Sequence, residues 1–189
     1  MSKPTAVIVL CEDRRTFSFT RSYLKKCGIN REIRPVISPR GSGFTFVVNS
    51  FSAQVNAYRL AKARIGAWLI AVVDADTGTV AQRIGEMDRE LAQSQEPRVR
   101  AIRIQNEKIA RLVPRRNIET WILALNSTSV NETDNYKDTI RTDERWSELI
   151  PTSAESLYAL TRPNATLPED LIESLHCGIS ELRRIETAR

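Results

Sequence analysis

Apolar and polar positions divide the chain into short β-branched runs separated by segments with helical spacing. Ala6–Leu10 is apolar at every position, the pattern of a strand buried on both faces, and reads as a central strand. Phe17, Phe19, Tyr23 and Leu24 suit a helix from Thr16 to Cys27, and Gly28 is placed to end it with a left-handed cap. Glu32–Ile37 reads as a second, more polar strand, and Pro39–Gly43 as the loop after it. Ser52–Ile65 carries Val55, Leu60 and Ile65 with alanines between them, which predicts a second helix. Ala67–Val73 is the strongest strand pattern in the chain, and it runs straight into Asp74 and Asp76. Thr79–Leu91 has Val80, Ile84, Met87 and Leu91 at helical spacing, and Val99–Ile104 reads as a fourth strand. Asn117–Leu125 predicts a further helix, 126–143 a polar excursion, and Ala154–Leu160 and Pro168–Glu186 two C-terminal helices.

Strands alternating with helices predict an α/β fold, a mostly parallel central sheet flanked by helices, with a helical C-terminal tail. On this reading residues 1–125 form the α/β domain, and 126–189 supply the excursion and helices packed on that same domain. The length of 189 residues, 41% of them hydrophobic, suits one domain with a full core. No stretch approaches the roughly 18 uncharged apolar residues of a membrane span, and no signal peptide is evident, so a cytoplasmic protein with no membrane partner is expected.

Three cysteines, Cys11, Cys27 and Cys177, have no CxxC spacing and indicate neither a disulfide framework nor a thiolate zinc site. With His176 the single histidine, any bound metal must be held by carboxylates. A net charge of +5 is compatible with a polyanionic partner. The cations cluster, in the first forty residues (Arg14, Arg15, Arg40 among them) and again from Arg98 to Arg116.

Ligands of open α/β sheets bind beyond the carboxyl ends of the strands, which singles out the acids that follow the apolar runs. Glu12 and Asp13 follow the first strand, and Asp74 and Asp76 follow the third. In an extended chain residues 74 and 76 project to one side, so both carboxylates can face one cation; hard oxygen ligands suit Mg²⁺ or Mn²⁺. The competing reading makes the aspartates helix caps. If the first and third strands are neighbours, Glu12 stands across from the pair as general base or metal ligand, with Asp13 its competitor. Glu119 lies beside an apolar face formed by Ile118, Trp121, Ile122 and Leu125 and is either a further ligand or a solvated acid.

Val7–Glu12, the helix and glycine-containing loop after it, and Ile70–Asp76 together resemble the TOPRIM domain shared by topoisomerases, bacterial primases and OLD-family nucleases. Asn117–Ala124 is similar to a segment of small TOPRIM-like families related to the OLD nucleases, several of them associated with phage defence. The resemblance covers roughly the first 125 residues. It implies that Glu12 matches the family's general acid/base glutamate, that Asp74 and Asp76 match its metal-binding pair, and that Glu119 matches a late metal or structural glutamate. One departure is Asp13, where many relatives carry a small residue.

The chemistry so implied is Mg²⁺-dependent or Mn²⁺-dependent hydrolysis of phosphodiester bonds in DNA or RNA, with one or two ions, as the effector of an antiphage system. Arg14, Arg15, Arg40, Arg115 and Arg116 are the candidate phosphate contacts. Two other readings stay open. One is a non-catalytic subunit that binds nucleic acid or a partner ATPase, since the chain has no Walker A pattern. The other is a haloacid-dehalogenase-like phosphotransferase, because Asp74–Val80 resembles that superfamily's DxDGT signature with Thr77 inserted.

Overall fold

β-branched residues in unbroken apolar runs cannot expose either face of a strand, and the sheet they form is covered on both sides. The computed structural model describes residues 6–30, 32–39, 43–99 and 104–187. In these, strands β1 (Ala6–Cys11), β2 (Glu32–Ile37), β3 (Trp68–Val72) and β4 (Ile109–Leu112) form one all-parallel sheet in the order β2-β1-β3-β4. Every residue of β1 and of β3 is buried, which confirms β1 as central. β2 lies at an edge, where its polar residues and Pro35 are tolerated.

Alternate residues of the strands feed two cores. Val7, Val9, Cys11, Trp68, Ile70 and Val72 meet side chains of α1 (Arg14–Lys26), α4 (Ile118–Leu125), α5 (Asp143–Thr161) and α6 (Glu173–Thr187). Ile8, Leu10, Leu69, Ala71 and Val73 meet α2 (Gly43–Ile65) and α3 (Val80–Gln93) on the opposite face. The chain moves outward from β1 to β2 under one layer and back across to β3 and β4 under the other, as crossovers of a single hand require. It reverses direction between β1 and β3, so the switch point of the sheet lies beyond the carboxyl ends of these two neighbours.

Four elements differ from the sequence expectation, one of them α6, which begins at Glu173 and not at Pro168. The fourth strand is Ile109–Leu112: Val99 is in a turn and Ile104 opens a single 3-10 turn, both buried as plugs beneath α2 and α3, while 100–103 lie outside the described residues. Helix α2 begins at Gly43, nine residues before Ser52, because Val47, Phe51, Val55 and Tyr58 form one continuous helical stripe. Helix α5 begins at Asp143 under a Thr142 cap and passes through Pro151, a residue that normally argues for a helix boundary.

Candidate functional site

The backbone at the switch point is fixed first. β3 and β4 stay hydrogen-bonded past their ends, with Val73 N–H donating to the Leu112 carbonyl (3.0 Å) and Ala75 N–H to the Pro114 carbonyl (2.8 Å). Arg83, only 6% exposed on α3, donates from Nε to the Asp74 carbonyl (3.1 Å) and from Nη2 to that of Ala75 (3.3 Å). Arg116 donates to the Asp76 carbonyl (3.3 Å) and Arg115 to that of Gly78 (2.5 Å). Three arginines thus hold the turn after β3 by its carbonyl oxygens, and Asp76 sits in it at φ 52°. A non-glycine residue in the left-handed region is held there by such surroundings, and aspartate tolerates it better than most.

Helix capping accounts for some of the acids and releases others. Asp13 caps α1, its side chain accepting from Thr16 N–H (2.7 Å). Thr79, not an aspartate, caps α3 in a reciprocal box with Gln82. Asp13 therefore has a structural use, and Asp74 and Asp76 have none at a helix terminus.

Glu12 projects from the end of β1 toward β3, and its Oε1 accepts the Asp74 N–H at 2.7 Å. Its Oε2 lies so near Gly43, the first residue of α2, that a Cβ there would stand 3.4 Å away; Gly43 also has φ 36°. Burial, together with the charges of Asp76 and Asp13, pushes the Glu12 carboxyl up to about 7, against the lowering effect of the Asp74 hydrogen bond and Lys137. Burial also raises Asp74 well above the ordinary aspartate value, reinforced by Glu12 and Glu119. Glu119, 7% exposed in the first turn of α4, is raised by burial too, and its Oε2 has no hydrogen-bond partner. It is not the solvated acid that its sequence context allowed.

The charges of Glu12, Asp74, Asp76 and Glu119 are thus coupled around one place. Asp74 and Asp76 are not two residues of one strand, since β3 stops at Val72 and Asp76 lies in the turn at φ 52°. Among the described residues no three acidic, histidine or cysteine side chains converge as a ready ligand cage. A cation held by one or two carboxylates, with water and phosphate completing its shell, suits this arrangement, and that is the usual habit of Mg²⁺. Glu12 beside the Asp74 backbone is where such a cation would sit, and the Glu119 oxygen is a buried polar atom without a hydrogen-bond partner.

Lys137 joins the site from outside the expected residues. The excursion after α4 is an ordered loop: Asn117 Nδ2 donates to Asn135 Oδ1 (2.8 Å), Tyr136 packs on the core, and Asn135 Oδ1 in turn accepts from Lys137 N–H (3.1 Å). This brings the Lys137 ammonium to 3.8 Å from Asp76 Oδ1, where its charge also acts on Glu12, Asp74 and Glu119. Nothing in the spacing of a lysine within a polar stretch pointed to this.

The arginines separate. Arg14 lines a cleft of about 930 Å³ at the ends of β1 and β2, together with Glu12, Asp13, Ile37, Ser38, Pro39 and Gly43. Arg15, expected to contact phosphate, instead ties α1 to α5: it donates to the Ile140 and Arg141 carbonyls, pairs with Asp143 at 2.7 Å and lies over the Trp146 ring. Arg115 and Arg116 have the loop carbonyls as partners, and Arg40 lies outside the described residues. No family model, curated protein or solved structure matches the chain.

Proposed function

We propose that the chain is a Mg²⁺- or Mn²⁺-dependent nuclease of TOPRIM type that hydrolyses phosphodiester bonds at the ends of β1 and β3. The observation that carries this reading is the Glu12 carboxylate held on the Asp74 N–H at the switch point, with burial raising both acids and capping explaining neither aspartate after β3. Buried acids that disfavour their own ionisation form a site for positive charge.

Glu12 and Asp74 are the residues that would hold a divalent cation, and Glu119 adds its negative charge to the field at Asp74. Such an ion supplies charge neutralisation at a phosphate and a more acidic water. Glu12 would either bind the ion as a carboxylate or, left free of it with a carboxyl raised to about 7, take and return a proton at pH 7. Lys137 adds a fixed positive charge facing the same acids, and Arg14 supplies one on the cleft wall.

The Lys137–Asp76 ion pair also favours a second reading, a non-catalytic binder in which the lysine serves as the resident cation. Calorimetry with Mn²⁺ separates the two. Binding to wild type that is lost in Asp74→Asn/Asp76→Asn supports the nuclease, and no binding even with an oligonucleotide present supports the binder. Asp74→Ala and Glu12→Gln are each expected to abolish metal-dependent cleavage while leaving the fold intact; undiminished cleavage in both removes the site assignment. The Asp74–Thr79 turn follows the third strand, so the phosphotransferase alternative gains nothing from the fold.

A further inference from the structure

Large aromatic side chains in this protein are turned inward. Trp68, Trp121 and Trp146 are all buried, as are Phe19, Phe51, Tyr23 and Tyr58. Phe44 is 38% exposed, and among the described phenylalanines, tyrosines and tryptophans it is the one left that far open.

Its position is not arbitrary. It follows Gly43, the residue that closes against the Glu12 carboxylate, on the first turn of a 23-residue helix. Its ring stacks on the Arg83 guanidinium, 3.8 Å from the ring centroid. That guanidinium is itself clamped by the Asp74 and Ala75 carbonyls and by Glu86 at 2.5 Å. The aromatic plane is therefore tied through one buried arginine to the backbone of Asp74 and through one glycine to Glu12. One side of the ring covers the buried Arg83, and the part left open exposes apolar surface at a cost in hydration.

We propose that Phe44 is a stacking platform for an unpaired nucleobase next to the scissile phosphate, which makes single-stranded nucleic acid the substrate class. This rests on the nuclease reading above. A flat ring held beside a phosphate site serves any base, because every base presents a π-face, and it requires that the base be out of a duplex. The cleft that Glu12 and Gly43 line also carries Arg14 and Ser38, which gives the continuing strand a path.

The test is equilibrium binding of a labelled oligothymidylate, and of the same oligomer with abasic positions, at low salt with Ca²⁺ replacing Mg²⁺ to prevent cleavage. Wild type is expected to bind the base-bearing strand about tenfold more tightly than the abasic one, the scale of a single stacked base. Phe44→Ala and Phe44→Leu lose that preference, and the leucine variant keeps apolar cover over Arg83, so a loss in both reports the π-face and not local packing. Phe44→Trp retains the preference, and its indole, on a background of buried tryptophans, is quenched by the base-bearing strand only. Wild type that binds oligothymidylate with no preference over the abasic strand, or variants that keep the preference, overturns the platform and leaves the nuclease reading standing. Wild type that binds neither strand, as DNA or as the corresponding RNA, overturns the platform, and it overturns the nuclease reading as well when a duplex of the same length is not bound either.

Discussion

A carboxyl group held near neutrality by burial makes the stability of the metal-free protein depend on pH in a definite direction. Glu12 binds its proton more tightly in the folded state, about 7, than its ordinary value of 4.5. Between these values the native state carries more protons than the unfolded state, so stability falls as pH rises through the window. The penalty is absent below the lower value and complete above the upper one. Its full size is on the order of 3 kcal/mol, from about 1.4 kcal/mol for each unit separating the two values. Glu12→Gln retains an oxygen to accept the Asp74 N–H and removes the charge. Urea titrations from pH 4 to 8 are therefore expected to show the glutamine variant gaining on wild type across this window and not below it. Equal pH profiles would remove Glu12 as a buried, proton-holding acid. Adding Mn²⁺ is expected to close the gap at high pH, since a ligand that binds only the folded, ionised site stabilises it by mass action.

At the scale of elements, α4 carries Glu119 and is placed by a contact with α6. Trp121, fully buried two residues on from Glu119, donates from Nε1 to Ser174 Oγ at 2.7 Å and fills the hole over Gly178. A methyl group at 178 would overlap the Trp121 ring at Cη2 and stand 3.0 Å from Cζ2. Gly178→Ala gains about 1 kcal/mol in helix propensity, but overpacking a closed core costs about 1–3 kcal/mol or more, and the ring has no open space to swing into. The variant is expected to melt several degrees lower, at roughly 2–4 °C per kcal/mol, and to bind Mn²⁺ more weakly as α4 shifts. A melting point at or above that of wild type would show that the two helices slide freely. The sequence pattern could find α4 and its acid, because Asn117 and the apolar residues after Glu119 mark both. It could not find this contact, which joins residues more than fifty positions apart and leaves no periodic trace. For the same reason the pattern does not separate Ile109–Leu112 from Val99–Ile104: both are short and mix apolar residues with arginine, and pairing with β3 marks the former as the strand. Glu12 and Asp74 were legible because apolar runs end abruptly at both; Lys137 and Phe44 were not, because only the folded chain brings them to the site.

Over the whole molecule, the C-terminal third is part of the structure that supports the site. The core on the α1 face joins Phe19, Tyr23, Trp121 and Ile122 to Trp146, Leu157, Leu175, Ile179 and Leu182. Arg15 reaches across to Asp143, and Tyr23 Oη lies 3.2 Å from Thr161 Oγ1. At the far edge of the sheet Glu181 on α6 accepts the Arg111 N–H of β4 at 3.2 Å, covering an edge that would otherwise be open. A fragment ending at Leu125 would uncover four large side chains on α1 and α4, each about 1.5–3 kcal/mol when buried. Their sum is comparable with the whole stability of an ordinary domain, about 5–15 kcal/mol. It would also lose the Asn135 contact to Asn117 and with it Lys137. The fragment is therefore expected to bind a hydrophobic dye, to lack a cooperative melting transition and to show no Mn²⁺ binding, whereas the full chain unfolds in one step. A fragment that melts cooperatively and still binds Mn²⁺ would show that the sheet with α1–α4 stands alone, and that the loop carrying Lys137 is an addition to a site already complete.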